Sequence, residues 1–233
     1  MKKVIATIMA AGLVAQVASA VSAGVDISSA YVFRGETFND GTVVQPGMEG
    51  EVMGVTVGTW ANIDINDAGN NDPLSEVNFY LGYGLGEIAG FSIDAGFCEY
   101  AYPGAGVVES GGEANGESEL SVSISGVVSG FDVSAAAYAD VEEEASPGYY
   151  EFSIGGGYDL TSDIAASYGV TAGYFDEDAE SGFGYSAISF GVEKPVSDVL
   201  TAGISLTLIE EMDDALVTVT EDQVVTFSIG GDF

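Results

Sequence analysis

The chain has 233 residues, of which 37 are Asp or Glu, four are Lys or Arg and none is His, for a formal net charge of −33. That balance excludes nucleic acid and anionic surfaces as partners held by phosphate neutralisation, and it removes the commonest general base and metal ligand. Cys98 is the single cysteine, so no internal disulfide staples the fold and an extensive sheet has to supply the stability.

The first residues read as a secretory signal peptide. Lys2 and Lys3 precede an apolar run over 4–14, and Ala18-Ser19-Ala20 and Val21-Ser22-Ala23 offer small-residue cleavage sites. The division expected is a signal peptide over 1–23 and one mature domain over 24–233, with cleavage after Ala20 or Ala23. The run is too short for a spanning helix, and nothing later approaches the roughly 18 to 20 apolar residues that one needs. Only strands could then cross a membrane.

From Gly24 onward nearly every segment alternates apolar and polar residues in steps of two and is bounded by Gly, Asn, Asp, Ser or Pro. The first strand is expected over 25–33, with Val25, Ile27, Tyr31 and Phe33 on one face and Asp26, Ser28, Ala30, Val32 and Arg34 on the other. The second, over 43–52, is interrupted by Pro46 and Gly47. The third, over 55–65, sets Val55, Val57, Ala61, Ile63 and Ile65 against Thr56, Gly58, Trp60, Asn62 and Asp64. The most regular alternation lies over 77–85, where Val77, Phe79, Leu81, Tyr83 and Leu85 oppose Glu76, Asn78, Tyr80, Gly82 and Gly84. Phe91, Ile93, Ala95 and Phe97 then face away from Asp94, Gly96, Cys98 and Tyr100. Further strands are expected over 120–128, 131–140, 149–158, 164–174, 185–192, 200–208 and 224–233, which makes twelve.

Connections alternate between short, over 53–54, 86–90, 129–130, 159–163 and 194–199, and long, over 36–42, 64–76, 103–119, 140–148, 176–182 and 210–222. The long ones hold 24 of the 37 acidic residues. An even strand count, long polar loops at one end and both termini at the other fit an all-β fold, a transmembrane antiparallel up-and-down β-barrel in the bacterial outer membrane, in contact with lipid and lipopolysaccharide. Strands of about 9 to 11 residues suit a tilted crossing of the hydrocarbon. Tyr31, Phe33, Phe91, Phe131, Tyr150, Tyr158, Tyr174 and Phe233 near strand ends would form interfacial girdles. A soluble exported β-sandwich is the alternative fold.

Inward parity collects the candidate lumen residues Asp26, Arg34, Trp60, Asp64, Glu76, Asp94, Tyr100, Asp132 and Glu151, with Glu119 and Asp140 beside them. Arg34 could shape a constriction or bind an anionic solute, or it could ion-pair with wall carboxylates such as Asp64 or Glu76. The carboxylates would make an open lumen negative and cation-preferring, or be solvated behind Tyr and Trp side chains that plug it. Small inward residues such as Gly155, Gly157, Gly169, Gly173, Gly203 and Ser205 favour open space. Trp60 reads as filler or a stacking surface, and Cys98 as a spectator.

No cofactor and no catalytic role is expected, because without His only carboxylate pairs remain and nothing singles one out. Residues 64–69 resemble the start of a calcium loop, but Ala68 and Ser75 stand where ligands are required. Glu142-Glu143-Glu144, Asp176-Glu177-Asp178 and Asp213-Asp214 could bridge divalent cations to lipopolysaccharide phosphates or could be solvated charge. The function expected is a passive channel for small solutes, cation-preferring; the alternative is a closed barrel with an adhesion or structural role.

The last strand sets Val225, Phe227, Ile229, Gly231 and Phe233 on one oily face and would pair with the first to remove both sheet edges.

Three motifs stand out along the chain, Tyr31-Val32-Phe33-Arg34-Gly35, Gly58-Thr59-Trp60-Ala61-Asn62 and Gly96-Phe97-Cys98-Glu99-Tyr100-Ala101-Tyr102-Pro103-Gly104. Through them the chain resembles, over its full length, the TorF family of predicted outer-membrane porins, also called the Gcw_chp family. Tyr149-Tyr150-Glu151-Phe152-Ser153 and the hairpin over 191–206 follow in order and spacing. The resemblance implies a porin role and, through the terminal Phe227, Ile229 and Phe233, a recognition signal for the barrel assembly machinery. The extreme acidity and scarcity of Lys and Arg depart from typical members.

Overall fold

The computed structural model describes residues 21–66, 73–103, 116–141, 148–176 and 181–233. In chain order its strands are β1 (Val21–Ser28), β2 (Tyr31–Phe33), β3 (Glu36–Asn39), β4 (Val43–Val52), β5 (Val55–Asp64), β6 (Leu74–Ile88) and β7 (Phe91–Ala101). There follow β8 (Gly116–Val128), β9 (Phe131–Asp140), β10 (Tyr149–Asp159), β11 (Ala165–Asp176), β12 (Ser181–Pro195), β13 (Leu200–Glu211) and β14 (Gln223–Asp232). Strands β1 and β4 to β14 pair antiparallel with their neighbours into one closed barrel of twelve, and β2 and β3 form a separate two-stranded sheet.

The alternation sets the orientation of the wall. Phe79, Leu81 and Leu85 on β6, Leu120, Val122 and Ile124 on β8, and Ile188, Phe190 and Val192 on β12 all stand exposed on the outside. An apolar exterior of this kind suits hydrocarbon, since closure leaves no backbone edge unpaired. Closure runs through β1 and β14, where Val25 lies opposite Ile229 and Ile27 opposite Phe227. It overturns the sandwich alternative.

The seam starts earlier than Gly24. Val21 N–H donates to Phe233 O at 3.2 Å, Phe233 N–H donates back at 3.0 Å, and Ser22 Oγ donates to Asp232 at 2.6 Å. Val21, Ser22 and Ala23 also sit opposite Gly50, Glu49 and Met48 on β4. Cleavage after Ala23 would strip three residues from β1, whereas cleavage after Ala20 leaves every described residue of the seam in place. Residues 1–20 of the expected signal peptide lie outside the described residues. Amino-terminal sequencing of the exported protein should therefore begin at Val21, and a start at Gly24 would show that the seam survives without that turn of ladder.

Three short connections share one turn. Met53, Ala89 and Ser129 have φ of 56°, 53° and 53° and are each followed by a glycine at positive φ, the backbone of two-residue hairpins whose twist matches the flanking strands. The connection expected over 86–90 shrinks to Ala89-Gly90, because a register shift between Gly84 and Gly86 carries β6 on to Ile88. The 15-residue β6 and β12 outrun the expected 77–85 and 185–192. Pro46 is tolerated inside the sheet; beside it Gln45 Nε2 donates to Asn62 Oδ1 at 2.9 Å, across the gap left in the β4–β5 ladder.

Outward aromatics cluster at the loop end, where Tyr174 packs on Phe183 at 5.3 Å and on Tyr150 at 6.2 Å. Phe131, Tyr158 and Phe233 stand exposed at the opposite end. Tyr31 and Phe33 do not join this girdle, because the chain leaves the wall after β1 and carries them inward.

Candidate functional site

The first long connection, rather than continuing strand one, folds into the barrel as the β2–β3 hairpin. Ser29 N–H still donates to Val225 O at 2.9 Å, but Ala30 is already buried and Tyr31 is 8% exposed. The hairpin turns at Arg34 and Gly35, with φ of 52° and 81°, the same pattern as the three turns at the opposite end. A Cβ on Gly35 would lie 2.7 Å from Tyr185 Cγ, so only glycine lets the turn approach the far wall this closely.

Arg34 is the centre of the site. Its Nη1 and Nη2 donate to the Glu119 carboxylate at 2.7 and 2.8 Å, a bidentate pair with both side chains largely buried. The guanidinium carbon lies 4.2 Å from the Tyr149 ring centroid, 4.4 Å from Tyr138 and 4.7 Å from Phe33. Burial opposes the charge, yet the hydrogen bonds and attraction of Glu119 outweigh it and hold the Arg34 pKa above its ordinary value. Around this core Tyr100 Oη donates to Glu119 at 3.2 Å and Tyr149 Oη to Glu151 at 3.0 Å, while the Tyr149 and Tyr185 hydroxyls meet at 2.8 Å.

The rest of the hairpin is tied down on both sides. Tyr31 Oη donates to Glu76 at 3.0 Å, and Tyr31 packs on Trp60 at 5.4 Å. Burial, with the Glu76 charge, pushes the Tyr31 phenol pKa upward, so it stays a donor. Asn39 donates to Asp64 at 3.0 Å and accepts from Asn62 at 2.7 Å. Across the lumen the β13–β14 connection straps β3: Thr37 N–H donates to Thr218 O at 3.2 Å, and Thr220 N–H donates to Thr37 Oγ1 at 3.1 Å. Val217 from this strap is buried against Tyr138, Tyr149 and Tyr185.

The structure thus gathers Arg34, Trp60, Asp64, Glu76, Tyr100 and Glu151 around the hairpin at the loop end. It leaves Asp26, Asp94 and Asp132 lower on the wall, on β1, β7 and β9. Arg34 is not a wall residue, and its partner is Glu119 rather than Asp64 or Glu76, because the hairpin carries it across the lumen from β1 towards β8. Trp60 fills space against Tyr31, and its Nε1 has no acceptor among the described residues. Gly173 leaves no open space; the Tyr149 and Tyr185 rings occupy it. Beside Arg34 a cavity of about 60 Å³ remains, bounded by Tyr100, Tyr102, Glu117 and Asp140.

The calcium-like loop beyond Asn66, Glu142-Glu143-Glu144 and Glu177-Asp178 lie outside the described residues. Among the described residues no group of acidic or cysteine side chains has the arrangement of a metal site.

The fold recurs in solved outer-membrane proteins. An outer membrane channel from Pseudomonas putida F1 superposes with a TM-score of 0.61 at 9% identity, covering 94% of this chain and 97% of the other. The KdgM porin follows at 0.54 and 10% identity, over 91% and 99% of the two chains. The NanC porin gives 0.50 and 11%, over 93% and 99%. At such identities the likeness shows the barrel fold and nothing of solute. No curated protein matches the chain in sequence. The family described as "Bacterial protein of unknown function (Gcw_chp)" matches residues 14–226.

Proposed function

We propose that this chain, which belongs to the Gcw_chp family of bacterial proteins, is a porin-like outer-membrane channel for small solutes, narrowed at its loop end by the β2–β3 hairpin. The observation that carries the reading is the hairpin itself: a closed barrel with an apolar exterior holds one folded loop inside its lumen, and Arg34 sits where that loop meets the opposite wall. The porin fold of the solved neighbours and the TorF resemblance agree with it.

The charge of the passage favours cations. Arg34 is already paired with Glu119, so the wall carboxylates Asp26, Asp64, Glu76, Asp94, Asp132 and Glu151 set the sign of the field that an ion meets. Lipid and lipopolysaccharide are the surroundings implied by the exterior, and small cations the simplest solutes. The closed-barrel reading draws on a specific observation too, the burial of the strap's Val217 against Tyr138, Tyr149 and Tyr185.

Planar-bilayer recording of the refolded protein separates the two. The channel reading expects discrete conductance steps, with a reversal potential under a salt gradient displaced towards that of the cation. Silence across a range of salts would sink the channel and leave the closed barrel, whereas steps with anion selectivity would remove the charge preference alone.

A further inference from the structure

The groups around Arg34 have the composition of a receptor for its own side chain. Glu119 on β8, Tyr138 on β9 and Tyr149 on β10 come from three adjacent wall strands, and Tyr100 on β7 steadies the carboxylate. Only Phe33 belongs to the hairpin. The wall therefore keeps a carboxylate fork and two ring faces whether or not Arg34 is present, and these match a planar, weakly hydrated guanidinium better than a compact hydrated ion. Arg34 is the one arginine in the sequence, so no other side chain of this chain offers the matching fork.

The occupant is held on a strained tether. Arg34 adopts φ of 52°, a left-handed conformation that a residue with a Cβ disfavours, and a two-residue turn offers little slack. The 60 Å³ cavity lies directly against its side chain, with Glu117, Asp140, Tyr100 and Tyr102 on the remaining sides. A small cation can therefore approach the same carboxylate while the tethered side chain is still in place.

We propose that this wall cage is a guanidinium-binding site whose resident occupant is Arg34, and that small solutes bearing a guanidinium group compete for it. The transport consequence rests on the channel reading: such a solute would displace Arg34, loosen the hairpin and pass. The binding itself does not depend on conductance.

The test uses guanidinium chloride at millimolar concentration, matched against sodium and tetramethylammonium chlorides, on the refolded full-length protein in detergent. Arg34→Ala empties the cage, and its thermal unfolding midpoint is expected to rise saturably with guanidinium and not with the other two salts. The wild type should show a much weaker response. Arg34→Ala combined with Glu119→Gln should show none. Equal responses to all three salts, or a guanidinium response that survives in the double variant, would overturn the proposal. Should Arg34→Ala fail to refold, Arg34→Gly, which the positive φ at this position suits and which also empties the fork, takes the same titration and gives the same decision. Bilayer recordings on these samples keep the two readings apart. Binding without conductance would retain the cage and remove the channel, and conductance without binding would do the reverse.

Discussion

Replacing residues 31–39 by a short Gly-Ser link between Ala30 and Asp40 is expected to raise single-channel conductance several-fold while leaving the barrel folded. The hairpin is two short strands, marginal on its own in water, so it occupies the lumen only because the wall holds it. The holding contacts are the Arg34–Glu119 fork, the Tyr31–Glu76 hydrogen bond and the Thr37 strap bonds, none of which is part of the barrel ladder. Twelve strands closed through β1 and β14 remain paired after the excision. Recording in planar bilayers, with heat-modifiable gel mobility as the check on folding, gives the answer. An unchanged conductance would mean that the hairpin is not the narrowest point, and a barrel that no longer folds would show that it is part of the core.

Two point variants approach the same result from smaller changes. Glu119→Gln leaves a buried guanidinium without its counter-charge, a loss of about 3 kcal/mol of docking, so the hairpin should spend more time away from the wall. Gly35→Val places a side chain within 2.8 Å of three Tyr185 atoms at a backbone φ of 81° that a β-branched residue resists. Both should raise mean current or its noise, and both should do so less than the excision.

Why the hairpin escaped notice in the sequence has a physical reason. Tyr31-Val32-Phe33 prolongs the alternation of Val25 and Ile27 without a break in parity, and period two cannot distinguish a strand that continues in the wall from one that restarts inside it. The signal that could have found it is Arg34-Gly35, the same residue-then-glycine pair that makes the turns at Met53-Gly54, Ala89-Gly90 and Ser129-Gly130. In a strand that reached the loop end such a pair has no reason to adopt left-handed φ at both positions. The strand count, the closing pair and the oily exterior were legible because the hydrocarbon imposes one rule on every strand. The interior obeys no common rule. Glu119 is 85 residues from Arg34, and only the closed barrel brings the two together. Gly173 illustrates the same limit from the opposite side, since a small inward residue reads as open space until the rings from β10 and β12 are placed against it.

Deleting Phe233 is expected to abolish most of the assembled protein in cells while changing the pore of the surviving fraction little. In the fold the residue contributes two ladder hydrogen bonds to Val21, at 3.2 and 3.0 Å, and an exposed ring at the membrane boundary. The bonds together amount to about 2 kcal/mol net, and the β1–β14 register from Ser22–Asp232 to Ser28–Thr226 survives the deletion. Seam energetics alone therefore predict a modest loss. If Phe233, with Phe227 and Ile229 on the same outward face, also serves as the recognition signal that the family resemblance implies, assembly in cells should fall far more than spontaneous refolding in detergent. Measuring both yields on the same variant separates the roles. Equal small losses would leave only the seam, equal large losses would mean that the closing pair is worth more than its hydrogen bonds, and no loss in either would remove both roles. The hairpin lies at the far end of the barrel from Phe233, so single-channel conductance of the refolded variant should match the wild type even where cellular yield collapses.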